Sequence, residues 1–111
     1  MKIIDIGRVP SEEGLPATLK RLFEIDITDK TKFSLGVATF PPGVRIPPEG
    51  DGVHAGDEFS IIIKGEIVSV NNGKKQRLTA GHAVYIPAGE SHWAVNESHE
   101  DCEIVWVLVD P

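Results

Sequence analysis

Two of the four histidines lie beside turn residues, and a carboxylate accompanies the first of them. His54 and Glu58 are separated by Ala55-Gly56-Asp57, a spacing that places two ligands on either side of a tight bend without steric obstruction. His92 follows the turn Pro87-Ala88-Gly89. Divalent first-row metals favour imidazole and carboxylate ligands, and a set of two histidines and one carboxylate leaves coordination positions open. These residue types therefore indicate a metal centre that substrate or oxygen could reach.

Turn residues recur at short intervals along the chain and separate short apolar runs, which are residues 33–40, 59–63, 66–70, 82–86 and 104–109. Short strands at this spacing indicate an all-β sandwich or barrel, whereas a βαβ architecture would need helical segments that are missing. The clearest local feature is a hairpin, because Asn71-Asn72-Gly73 supplies residues that tolerate positive φ between Glu66–Val70 and Lys75–Thr79.

The segment before the first of these runs, residues 1–32, carries two competing patterns. Leu15, Leu19 and Leu22 fit one helical face, but Phe23 and Ile25 alternate with acidic residues as in a strand. Neighbouring glycine and proline disfavour the helix. We therefore expect an extended segment from about residue 19, with a role in dimerisation.

Length and charge limit the functions that need be considered. A chain of 111 residues is long enough for one domain and too short for two, so we expect a single domain over 1–111 with its barrel core in 33–111. The net charge of −6 argues against a nucleic-acid partner, whose phosphates require clustered Lys and Arg, and we expect none. Asp5 interrupts the amino terminus too early for a secretory signal, and no stretch reaches membrane-spanning length. A cytoplasmic location follows as the expectation. The single cysteine, Cys102, is expected to be a buried structural thiol.

Two motifs carry a family resemblance. The segment Gly81–Asn96 has Gly81, Pro87, Gly89, His92 and Asn96 at the spacings of the second cupin motif, and His54-x3-Glu58-x6-Gly65 matches most of the first. The chain thus resembles the cupin superfamily, in particular its small single-domain members. The resemblance implies a double-stranded β-helix, or jelly-roll, barrel that binds one divalent transition metal through His54, Glu58 and His92. It does not distinguish iron, manganese, nickel and zinc.

The sequence departs from the family pattern at Gly52, where another histidine ligand usually stands two residues before His54. Its loss leaves a three-residue facial set, which is associated with open-position iron chemistry. Glu49 or Asp51 in the preceding loop could supply a replacement ligand, although acids in such loops are commonly just solvated. A barrel without metal is the other alternative, since some cupins bind none.

Three further residues are candidates for substrate binding. Arg45 could meet a substrate carboxylate, or could equally lie on the surface. Ser60 shares the strand face of Glu58, and Trp106 could stack on a substrate or pack in the core. The expected function is that of a metal-dependent enzyme of the oxygenase, isomerase or lyase type that acts on a small organic molecule. The alternative is a non-catalytic barrel that binds a small ligand, and in either case we expect a homodimer with no membrane partner.

Overall fold

The turns divide the chain into nine strands that follow one short 3₁₀ helix, Ile6–Arg8, in a computed structural model that describes residues 1–111. The strands are β1 Thr18–Asp26, β2 Lys32–Phe40, β3 Arg45–Ile46, β4 Asp57–Lys64, β5 Glu66–Asn71, β6 Lys74–Thr79, β7 Ala83–Ile86, β8 His92–Val95 and β9 Cys102–Asp110. The predicted hairpin is confirmed as β5 and β6, and Asn72 and Gly73 at its tip have φ values of 50° and 77°. Two successive positive φ angles give the turn the twist that matches its flanking strands.

The strands form two antiparallel sheets. One has five strands in the order β1-β2-β9-β4-β7, and the other has four in the order β3-β8-β5-β6. Every pairing within them is antiparallel. The molecule is therefore an all-β jelly roll, as the spacing of the turns and the resemblance predicted.

The core lies between the two sheets and follows the two-residue period of the strands. In β2 the residues Ser34, Gly36, Ala38 and Phe40 are buried, while the intervening residues are less so. Gly36 pairs with Trp106 across the β2–β9 ladder. A Cβ at Gly36 would lie inside contact distance of the Trp106 ring, so only glycine lets this indole pack against β2.

The amino-terminal segment adds an edge strand to the barrel. β1 begins at Thr18, next to the residue from which an extended segment was expected, and pairs with β2 over nearly its whole length. The helical alternative for residues 15–24 is thereby wrong. Long-range pairing with β2 satisfies the backbone of this segment, and this outweighs the weak helical spacing of its leucines.

A buried amide fixes the end of β8. Asn96 is fully buried, and its Nδ2 donates to the carbonyl oxygens of Phe40 and Glu100 at 2.7 Å each. Its Oδ1 accepts from the backbone N–H and the hydroxyl of Ser98 at 2.9 and 2.7 Å.

Cys102 is also completely buried. None of the chain's helical structure is long and apolar enough to span a membrane.

Candidate functional site

Three elements bring His54, Glu58 and His92 together. Glu58 is the second residue of β4, His92 is the first residue of β8, and His54 lies in the loop before β4. Gly56 makes the bend between the first two possible, because it is buried and a Cβ there would overlap the Val109 carbonyl oxygen. Glu58 therefore turns towards the space between the sheets, where His92 faces it from the opposite sheet.

The three side chains offer one donor atom each, and these atoms all lie within 4.8 Å of one another. His54 Nε2 is 3.6 Å from Glu58 Oε1, and the centroids of the two imidazole rings are 4.9 Å apart. All three residues are half-buried. Two imidazoles and a carboxylate match the donor preferences of divalent first-row transition metals, so the residues fit the cofactor that the sequence implied.

The orientation of His92 is fixed by the backbone around it. Its Nδ1 lies 3.0 Å from the Glu90 carbonyl oxygen, which can only accept, so Nδ1 carries the proton and Nε2 keeps its lone pair. The backbone of His92 exchanges two hydrogen bonds with Gly52, of 2.7 and 2.9 Å. Gly89, at φ 81°, donates its N–H to the His54 carbonyl oxygen at 2.9 Å. The imidazole of His92 and the backbone of His54 are thus both held by the same turn.

Gly52 lies directly beside this donor group. A Cβ placed on it would be 3.8 Å from His92 Nε2 and at ordinary van der Waals distance from its other neighbours. The position at which the family pattern has another histidine is therefore adjacent to the ligands and carries no side chain. This leaves one flank of the group free for a bound molecule.

The two acids suggested as replacement ligands do not approach the group. Glu49 is exposed, and Asp51 is exposed and accepts a hydrogen bond of 2.8 Å from the Ser91 hydroxyl. Neither belongs to the cluster of donor atoms. The acidic loop is therefore solvated, and the group has three protein donors.

A cavity of about 320 Å³ opens from the donor group into the space between the sheets. Most of the residues that line it are hydrophobic, 13 of 22. Ser60 and Trp106, both predicted substrate contacts, line this cavity together with Glu58. Such a pocket suits a small organic molecule with an apolar body.

Arg45 is the predicted contact that the structure places elsewhere. Its guanidinium stacks on Trp93, with Cζ 4.1 Å from the ring centroid, and donates to the Pro47 carbonyl oxygen. The neighbouring Ile46 lines the cavity, so Arg45 lies on the opposite face of β3 and outside the lining. A two-residue strand gives too short an alternation for the sequence alone to reveal this.

Two charged residues that sequence reasoning did not select do line the cavity, Arg21 of β1 and Glu12 before it. Arg21 Nε donates to Glu12 Oε1 at 3.2 Å. Leu19 and Arg21 are two residues apart on one strand, and both line the cavity. The two-residue spacing of Leu19 and Arg21 indicates that both side chains lie on one face of a strand. It indicates that they face the cavity only once β1 is known to belong to the barrel.

The jelly roll, with a His, Glu, His group that could hold a metal ion on the lining of a largely apolar cavity, has the form of a cupin barrel. The Cupin domain family model matches residues 36–108, and the chain belongs to that family. A search of curated proteins found no sequence that matches this chain.

Solved structures with the same fold are numerous. A protein from Thermotoga maritima, described as a predicted oxalate decarboxylase, superposes with a TM-score of 0.81 at 21% identity, over 99% of this chain and 100% of that one. The polyketide cyclase RemF from Streptomyces resistomycificus gives 0.78 at 22% identity, over 100% and 80% of the two chains. A Cupin 2 conserved barrel domain protein from Salinispora arenicola gives 0.72 at 23%, over 97% and 86%. At such identities these likenesses establish the fold.

Proposed function

We propose that this chain is a metal-dependent enzyme that binds one divalent transition metal through His54, Glu58 and His92 and acts on a small organic molecule in the adjoining cavity. The observation that carries the proposal is the position of the donor group, which opens onto an apolar cavity on the flank left free by Gly52. A three-donor site keeps coordination positions for a substrate, as open catalytic sites require.

Each part of the site has a role in this chemistry. The metal, when bound, supplies Lewis acidity and a template for the substrate. The Glu90 carbonyl holds His92 in the tautomer that presents Nε2. Ser60 offers a hydroxyl on the same strand face as Glu58, and the apolar walls exclude water from the bound molecule.

The reaction type stays within the oxygenase, isomerase or lyase classes. The two similar structures described as a predicted oxalate decarboxylase and a polyketide cyclase support a small organic substrate. Their differing chemistries also illustrate that one barrel hosts several reactions, so the residues of the site must decide between them.

Cobalt substitution tests the proposal directly. Co²⁺ added to metal-free protein should give ligand-field absorption bands at one equivalent, and azide should then shift those bands by occupying an open position. Glu58→Gln should weaken Co²⁺ binding, whereas His99→Ala, which changes an exposed histidine, should leave it unchanged. Bands that do not respond to azide would contradict the open position.

A non-catalytic binding module is the second candidate, and one observation favours it. Outside the metal group, the only charged residues lining the cavity are Glu12 and Arg21, which pair with each other. The cavity therefore lacks a free general acid or base. Recovery of every bound molecule unchanged after incubation with metal-loaded protein and dioxygen would favour the module over the enzyme.

We also propose that the chain forms a homodimer through the outer face of its five-stranded sheet. Phe59, Ile61, Ile63 and Tyr85 on this face are 44%, 50%, 54% and 54% exposed, and Phe59 stacks on Tyr85 at 4.9 Å. Asp57 lies beside this patch and accepts a hydrogen bond from the Tyr85 hydroxyl, and the apolar surface around it suits a second copy of the chain. Light scattering should give twice the chain mass, and Ile61→Glu should halve it. Ile3→Glu, which changes an 82% exposed residue outside both the patch and the extended segment, should not. A monomeric wild type would refute the dimer.

The cytoplasmic location stays a prediction, which cell fractionation would check.

A further inference from the structure

The end of the cavity formed by β1 carries a second polar feature, separate from the metal group. Arg21 pairs with Gly36 of β2, Gly36 pairs with Trp106 of β9, and Trp106 pairs with Ser60 of β4. One row of residues therefore crosses four strands at the same level. Arg21, Trp106 and Ser60 from this row all line the cavity.

The guanidinium of Arg21 is held by ion pairs, but most of its N–H groups have no hydrogen-bond acceptor. Its Cζ lies 5.1 Å from the centre of the Trp106 ring, and Nε donates to Glu12 Oε1 at 3.2 Å. Glu24 forms a second, longer ion pair, with its Oε2 3.6 Å from NH1, a distance too long for a hydrogen bond. Arginine has five N–H donors, so the four on its terminal nitrogens have no protein acceptor. Such a fork is suited to hold a carboxylate through two parallel hydrogen bonds.

Trp106 adds a second unpaired donor in the same row. The residue is 7% exposed, and its indole Nε1 is buried without any hydrogen-bond partner. A buried N–H without an acceptor is costly and uncommon in folded proteins. Because Nε1 has almost no accessible surface, a bound molecule could accept from it only if the indole shifted, and Arg21 remains the donor that lines the cavity.

Glu12 already places a carboxylate on this arginine. The Glu12 side chain is 42% exposed and that of Arg21 34%, and ion pairs so open to water are weak. Glu12 belongs to the segment before β1, where its N–H donates to the Leu19 carbonyl oxygen at 2.7 Å. A carboxylate from outside could therefore displace Glu12 without unfolding a strand.

We propose that the Arg21 end of the cavity binds the carboxylate of an elongated ligand with an apolar body, and that Glu12 occupies this position in the unliganded protein. The inference deepens the proposed function and rests on it only for the metal end of the ligand. The backbones of β1 and β4 are three strand spacings, about 14 Å, apart, and the side chains at both ends extend into the gap. A ligand that touches both ends therefore has a chain of carbons somewhat shorter than this separation. The hydrophobic lining between the two ends suits such a chain.

Straight-chain carboxylates from hexanoate to dodecanoate, compared with their primary amides, test the inference. The chain has two tryptophans, and Trp93 lies outside the cavity lining, so Trp93→Phe leaves Trp106 as the sole tryptophan, which can be excited at a wavelength that Tyr85 does not absorb. Binding is followed by Trp106 fluorescence and by calorimetry on metal-free protein. We expect the acids to bind about ten-fold more tightly than the amides, because charge-assisted hydrogen bonds to a guanidinium are stronger than neutral ones.

Two variants should change the affinity for the acids in opposite directions. Arg21→Gln should remove the preference for acids, and Glu12→Gln should tighten the binding of acids several-fold, because the competing carboxylate is gone. Arg8→Gln, which alters an exposed ion pair with Asp5, should change neither. Equal binding of acids and amides, or a preference that survives Arg21→Gln, would overturn the inference. If Arg21→Gln fails to fold, the absence of any gain in Glu12→Gln overturns it instead.

Metal-free protein separates this inference from the metal proposal. A chain that never binds metal but prefers acids through Arg21 refutes only the proposed function. A chain that binds metal and shows no preference refutes only the carboxylate site.

Discussion

Replacing Gly36 with alanine tests the contact that seats Trp106 in the cavity wall. A Cβ at this position would lie less than 3.0 Å from the Trp106 ring and from the Lys20 carbonyl oxygen, whereas ordinary contact begins at 3.4 Å. The indole could rotate, but the Lys20 oxygen is backbone of the neighbouring strand and cannot. Overpacking of this kind costs about 1–3 kcal/mol, and two simultaneous overlaps place Gly36→Ala near 3 kcal/mol. For a domain of this size the melting temperature should fall by roughly 10–15 °C.

Urea unfolding of metal-free protein, followed by circular dichroism, measures this change. Gly52→Ala is the matched control, because its Cβ would lie no closer than 3.4 Å to any neighbour. Its stability should stay within about 0.5 kcal/mol of wild type, or rise slightly because the unfolded chain loses freedom. Equal stability of Gly36→Ala and Gly52→Ala would refute the packing that places Trp106 against β2.

Three further outcomes follow from the same geometry. Gly52→His should tighten metal binding relative to Gly52→Ala in a chelator competition, since the Cβ at this position lies 3.8 Å from His92 Nε2. If the affinity for the metal did not rise, the open coordination position would not lie on the side of Gly52. Asn96→Ala should lower the free energy of unfolding by about 2–4 kcal/mol in urea, because it removes four hydrogen bonds, one of them buried and three partly buried, and a loss under 1 kcal/mol would contradict this. Burial, with smaller effects of Glu103 and Glu66, raises the pKa of Cys102 from 9.0 to about 11. The folded protein then keeps a proton that the unfolded chain loses, so stability is unaffected below pH 9 and falls as pH rises to 11, by on the order of 2–3 kcal/mol. Cys102→Ala should remove that part of the slope, and an unchanged slope would contradict the assignment.

Much of the barrel could be predicted because the residue types at its turns favour the backbone angles that those turns require. Asn72 and Gly73 tolerate the positive φ angles that the β5–β6 hairpin requires, and the structure has both. Gly89 and Pro87 likewise mark the turn before β8. Local signals of this kind give strand positions without any knowledge of which strands pair.

The donor group was predictable for a related reason, because spacing within one bend fixes His54 relative to Glu58. The family resemblance then supplied His92, which comes from the other sheet. What the sequence could not supply was long-range pairing. Arg21 reaches the cavity only because β1 pairs with β2, and its own segment also allowed a helical interpretation. Arg45 sits on a strand of two residues, where alternation cannot assign a face.

The central claim is that His54, Glu58 and His92 hold a metal ion. Its most direct test is elemental analysis of protein purified without a histidine tag, after reconstitution with iron, manganese, nickel or zinc and removal of unbound ion. We predict about one transition-metal ion per chain in wild type and in His99→Ala, and almost none in His92→Ala. Wild type without metal under all four conditions, or His92→Ala with full occupancy, would contradict it.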